Sequence, residues 1–245
     1  MSLRPLLTTL AVLFGLALVV LAALTVGHRR PQDVPWTRLD LGDTVGMFTG
    51  RKLSALKADP AECRALLGRA GIAFTRLPDR RDGPSCGYRD GVRVRTTGPL
   101  SIGYRPAIGA SCAVAATLAT WEWQVVQPAA IRHFGTRVAT IDDFGTYSCR
   151  RIGGGRRAGA TAGWSEHSAA NAVDIAGFRL TDGRRVTVVG DWTGTGPKAA
   201  FLRDVRDGAC RLFATTLSPD YNAAHRDHLH LDQAQRGPAG WRACR

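Results

Sequence analysis

Residues 6–27 run for 22 positions without a charged side chain, and this stretch limits what the rest of the chain can become. At about 1.5 Å of rise per residue, such a helix crosses the roughly 30 Å hydrocarbon core of a bilayer. The run is longer than the apolar core of ordinary export signals, and no clean small-x-small cleavage motif precedes Arg29. An uncleaved membrane anchor over residues 1–30 is therefore expected; the alternative is a signal peptide cut near Ala22 or Ala23. Arg4 precedes the run and His28, Arg29 and Arg30 follow it, so flanking charge does not assign an orientation. Cysteine does more. All six cysteines, at positions 63, 86, 112, 149, 210 and 244, lie beyond the run. An even count after an export segment reads as three disulfides formed in an oxidising compartment. No Cys-x-x-Cys pair is present to suggest a zinc knuckle or a thioredoxin-type centre. The spacing leaves the connectivity open, and sequential pairing (Cys63–Cys86, Cys112–Cys149, Cys210–Cys244) is expected because each bond would close one subregion.

Residues 31–45 read as a short linker, and 46–245 are of a length that suits one domain with its own core. Asp59 followed by Pro60 marks the start of a helix over 59–68. A polar loop is expected at 78–83 and a strand with one wet face at 92–96. Ser111 caps a longer helix over 112–127, whose Val114, Leu118, Trp121 and Val125 follow helical spacing and read as core. Pro128 kinks or ends it. Strands are expected at 137–141 and 146–150, then a flexible loop at 153–157. That loop has glycines but none of the following Lys-Ser/Thr of a phosphate loop. Residues 174–189 read as two strands about an Asp182-Gly183 turn, and 196–206 as a helix turning Phe201, Leu202 and Val205 inward. These elements define an α+β fold, a mainly antiparallel sheet with flanking helices, stabilised by disulfides and preceded by one N-terminal transmembrane helix.

Four of the six histidines fall in two short segments, 165–174 and 225–232. If 228–232 is a strand, its period of two places His228, His230 and Asp232 on one face and Leu229 and Leu231 on the other. The first segment offers His167 on a loop and Asp174 on the first strand of the hairpin. Imidazole and carboxylate are common ligands of Zn2+, and catalytic sites use three protein ligands with a fourth position kept for water. His167, Asp174 and His230 meet that count. His228, beside a ligand, is the expected general base; Glu166 is the second choice. Asp227 and Asp232 are placed to orient imidazoles.

The pattern Ser-x-His, an aspartate seven residues after the histidine, and a later His-x-His resembles the zinc peptidases of peptidoglycan: the D-Ala-D-Ala carboxypeptidases and the penicillin-insensitive murein endopeptidase. The spacing of His225, His228 and His230 is similar to the endopeptidase's histidine triplet. From about Cys63 to Cys244 the chain resembles the bacterial extensin-like C-terminal domain family. The residues that carry this likeness are Tyr147-Ser148-Cys149-Arg150, Ser165-Glu166-His167, Asn171-Ala172, Asp174, Gly177-Phe178 and the run from His225 to Asp232. The peptidase pattern has glycine where this chain has Ala170. The resemblance implies a zinc-dependent peptidase domain over 46–245 that acts on peptidoglycan peptides, with His228 as base, His225 assisting or binding substrate, and Arg150 on substrate carbonyl or carboxylate oxygens. It also implies an inner-membrane protein with its domain in the periplasm, or a secreted one if the anchor is cut. A non-catalytic wall-binding domain of the same fold is the alternative, and a zinc hydrolase of another extracellular substrate a third.

The formal charge is +13, and only 3 of the 33 basic residues are lysine. Such a surface suits a polyanion. The arginines are scattered and no helix-turn-helix or RNA-binding signature is present, so nucleic acid is not expected. Peptidoglycan or another anionic cell-wall polymer, and anionic lipid headgroups, are.

Overall fold

The apolar run forms one helix, α1 (Arg4–Arg29), with none of its side chains buried; it is long and apolar enough to span a membrane, and export signals share that property. The computed structural model describes residues 3–95, 102–153, 163–237 and 241–245. The expected loop at 153–157 falls beyond Gly153 outside the described residues, as does Thr96. Residues 31–45, expected as a linker, are folded onto the domain: Gln32 and Leu41 are buried there.

After α2 (Thr49–Ala55), Asp59 caps α3 (Pro60–Arg69) by accepting from the Glu62 amide at 2.9 Å. Strands β1 (Phe74–Arg76), β2 (Arg80–Gly83), β3 (Cys86–Tyr88) and β4 (Gly91–Val94) follow. The expected loop at 78–83 is thus corrected: β2 pairs antiparallel with β3. All four residues of β2 are exposed, so no alternation announced it. Beyond β5 (Gly103–Arg105) and β6 (Ala110–Ser111), Ser111 caps α4 (Cys112–Trp121), every residue of which is buried. Pro128 does not end the helix. A π turn over Glu122–Val126 widens the spiral, and α5 (Gln127–Phe134) runs on with Pro128 in its first turn. A wide turn gives room to a proline ring that would otherwise meet the preceding turn and that has no N–H to donate.

The main sheet contains β5, β7 (Val138–Asp143), β8 (Ala172–Leu180), β11 (Leu229–Asp232), β10 (Thr215–Leu217) and β12 (Ala243–Cys244), with β9 (Arg185–Thr187) also paired to β8. Pairings are antiparallel except β5–β7 and β10–β12. The hairpin is as expected, although its second strand is short and gives way to α6 (Val188–Asp191). The helix expected at 196–206 is α7 (Pro197–Leu212), with Phe201, Leu202 and Val205 fully buried. Trp121, Phe178, Phe201 and Phe213 lock α4 and α7 onto the sheet, and the Trp121 indole donates to the Val205 carbonyl at 2.9 Å.

The strand expected at 146–150 does not form. Gly145, at φ 100°, turns the chain off the sheet after β7, and the segment bonds instead to the loop that carries His167. The disulfides also differ. Cys210–Cys244 is as expected, but the others are Cys63–Cys112 and Cys86–Cys149. Cys63 and Cys112 sit on helices packed against each other, α3 and α4, and tertiary packing rather than chain order brings them together.

Candidate metal centre

Strands β8 and β11 lie side by side with His230 directly opposite Asp174. Leu229 and Leu231 are buried behind, as the period-two pattern requires. His167 comes from a short 3-10 turn, Glu166–Ala169, begun by Ser165. That turn ends at Ala170 in the left-handed region, φ 51°, a conformation that favours glycine. The expected trio therefore converges: His167 Nε2 lies 3.2 Å from Asp174 Oδ1 and 3.1 Å from His230 Nδ1, and His230 Nδ1 lies 2.9 Å from Asp174 Oδ1.

This triangle is the size that one ion requires. With bonds of about 2.0–2.1 Å, two tetrahedral ligand atoms lie about 3.3 Å apart. Second contacts set which nitrogens are free. His167 Nδ1–H donates to the Thr146 carbonyl at 3.0 Å, and His230 Nε2–H to Asp232 Oδ2 at 3.1 Å. Each imidazole thus turns a lone pair towards the carboxylate. Three lone pairs facing one another need a cation or a proton between them. Without an ion the proton falls to His230: burial opposes its charge, but hydrogen bonds to Asp174 and Asp232 push its pKa up to about 9. Burial likewise opposes ionisation of Asp174, yet its contacts with the His167 and His230 imidazoles hold its carboxyl well below the usual carboxylate range. The donor set of two imidazoles and one carboxylate fits a zinc-type ion.

The remaining site residues surround this trio. His228 lies just before β11; its Nδ1–H donates to Asp227 Oδ1 at 2.9 Å, and its Nε2 is 3.6 Å from Asp174 Oδ1. Its second nitrogen therefore faces the trio. His225 Nδ1–H donates to Asn222 Oδ1 at 2.8 Å, and its ring centroid is 5.2 Å from that of His228. Burial, then the neighbouring His228 and His230, lower its pKa to about 4, with Arg150 adding to the effect. Arg150 is thus electrostatically coupled to the site, and its carbonyl accepts from Ser165. Glu166, the second choice as base, is engaged through one oxygen. Its Oε2 accepts from Lys57 Nζ at 3.1 Å and Asn171 Nδ2 at 2.5 Å.

Two contributors carried no sequence signal. The Thr146 carbonyl that orients His167 is backbone, common to every residue type. Phe144, 60% exposed, sets its ring 5.8 Å from His228; an aromatic after a strand is ordinary until its neighbours are known.

Fold and centre together define a disulfide-bonded α+β domain with a His-Asp-His cluster at the junction of two sheet strands and a helical turn. The model of the family described as Extensin-like protein C-terminus matches residues 61–245, and the chain belongs to that family. Searches of curated proteins and of solved structures found no match.

Proposed function

We propose that this protein is a zinc-dependent peptidase that cleaves peptidoglycan peptides in the cell envelope, held to the inner membrane by α1 with its domain in the periplasm. The observation that carries the reading is the convergence of His167, Asp174 and His230 at ligand spacing beside a carboxylate-backed imidazole whose second nitrogen faces them. A zinc ion held by these three would supply Lewis acidity to a substrate carbonyl and lower the pKa of water.

His228 Nε2 takes the proton from the attacking water, and Asp227, on Nδ1–H, steadies the imidazolium that results. The proton then passes from His228 to the leaving amine. His225, kept neutral at physiological pH, presents Nε2 as an acceptor for a substrate N–H. The Arg150 guanidinium offers charge-assisted hydrogen bonds to a carbonyl or carboxylate oxygen. The likeness of this residue pattern to zinc peptidases of peptidoglycan supports the substrate class.

Purified full-length protein in detergent, incubated with zinc and isolated peptidoglycan, tests this by mass analysis of released fragments. Wild type is expected to release peptide products. His228→Ala should keep its metal and lose about 10²–10⁴-fold in rate. Absence of products from the zinc-loaded wild type overturns the peptidase reading. The +13 charge favours one other reading, a wall-binding domain without turnover; equal sedimentation of wild type and His228→Ala with peptidoglycan, with no fragments from either, would select it.

A further inference from the structure

Where α1 leaves its apolar run, the chain ties itself to the domain rather than trailing away as a tether. Lys52 Nζ donates to the Pro31 carbonyl at 3.0 Å, Gln32 Oε1 at 3.1 Å and Thr37 Oγ1 at 2.8 Å. Gln32 Nε2 donates to Asp43 Oδ2 at 2.9 Å and to the Arg38 carbonyl at 3.1 Å. The Met47 amide donates to Asp33 Oδ1 at 2.7 Å, and the Phe48 amide to the Gln32 carbonyl at 2.9 Å. Residues 31–48 are therefore a hydrogen-bonded collar at the end of the helix.

That collar displays Trp36, 78% exposed, and Met47, 75% exposed, the two most exposed large apolar side chains among the described residues. Trp36 shares a groove of about 400 Å³ with Val20, Ala23, Leu24 and Gly27 of α1. Val20 and Leu24 lie about 5–10 Å along the helix from the end of its apolar run, at 1.5 Å per residue. A tryptophan at that height is at the boundary between acyl chains and headgroups, where amphipathic rings are favoured. Arg30 and Arg38, 78% and 85% exposed and in long ion pairs with Asp33 (3.9 Å) and Glu62 (3.8 Å), add charge for anionic headgroups to that of Arg29 at the helix end. In water Trp36 has no cover; a bilayer around α1 provides it.

We propose that residues 31–48 form a membrane seat. Trp36 and Met47 enter the headgroup boundary of the leaflet where α1 ends, and the arginines bind anionic headgroups. The domain is thereby held flush to the bilayer. This rests on α1 being an uncleaved span and is independent of the peptidase reading.

The test uses full-length protein in vesicles of phosphatidylcholine and phosphatidylglycerol containing acyl-brominated lipids, with Trp36→Phe as the comparison. Trp36 is exposed, so the substitution leaves the fold intact. Lipids brominated near the headgroup are expected to quench a component of wild-type emission of about one tryptophan of the six, and Trp36→Phe should lack it. Equal fractional quenching of both proteins overturns the seat. The intact mass of protein recovered from membranes separates the two premises: a full-length mass with equal quenching leaves the span standing without the seat, and a chain cut near Ala22 or Ala23 removes both.

Discussion

Asp232 shows how much one carboxylate determines here. Its Oδ2 accepts from His230 Nε2–H and its Oδ1 from the Ala234 amide at 2.9 Å, so the ring of His230 is held with Nδ1 towards Asp174. Replacing it by alanine should lower zinc affinity about 10–100-fold, measured by competition with a chelator. Ala170 makes a different test. A non-glycine residue in the left-handed region costs about 1–2 kcal/mol. Glycine would remove that cost but would lose about 0.8 kcal/mol of buried methyl and add about 0.4–1 kcal/mol of unfolded-state entropy. Ala170→Gly should therefore leave stability within about 1 kcal/mol of wild type in urea melts, whereas β-branched Ala170→Val should cost more than about 2 kcal/mol. The trio was legible in the sequence because its spacing made sense on a strand and a loop. The Thr146 carbonyl and Phe144 were not, since their part depends on what tertiary contact places beside them.

Elements carry the site as a frame. Cys86–Cys149 pins the β2–β3 hairpin to the segment that offers the Thr146 carbonyl to His167, while Cys210–Cys244 fastens α7 to the edge strand β12. Loops of 63 and 34 residues give both bonds similar entropic weight, about 4 kcal/mol by loop closure. Double replacement by serine should thus lower thermal stability comparably, but only Cys86→Ser/Cys149→Ser should also weaken zinc binding. Equal zinc affinities would separate the hairpin from the site. Helix starts at Asp59 and Ser111, the Asp182-Gly183 turn and the leucine backing of β11 could be read locally because each is a short-range preference. The disulfide pairing and the all-polar β2 could not, because packing between distant segments decides them. The passage of the helix through Pro128 depended on a π turn that no residue pattern announces.

At the scale of the molecule, two buried groups lead the response to pH above about 6.5, beyond the range in which His225 and Asp143 titrate. In the metal-free protein the His230 pKa lies near 9 against an ordinary 6.5. Its contribution to stability is full below about 6.5 and is lost as pH rises through 9. Glu122 acts in the same sense: burial raises its carboxyl pKa from 4.5 to about 8, against a hydrogen bond from Tyr104, so folding favours its protonated form and loses that advantage as pH rises. The melting temperature of the metal-free protein should therefore fall between pH 6.5 and pH 9. Zinc bound by the trio would displace the His230 proton, so the zinc-loaded curve should be flatter and should retain the Glu122 part, which Glu122→Gln removes. Parallel curves with and without zinc would contradict the assignment. The most direct test of the account remains the metal itself: zinc titrated by calorimetry into metal-stripped full-length protein, with His167→Ala alongside. Wild type is expected to bind one equivalent, with proton release, and the variant none at that affinity. No binding to wild type, or undiminished binding to His167→Ala, would contradict it.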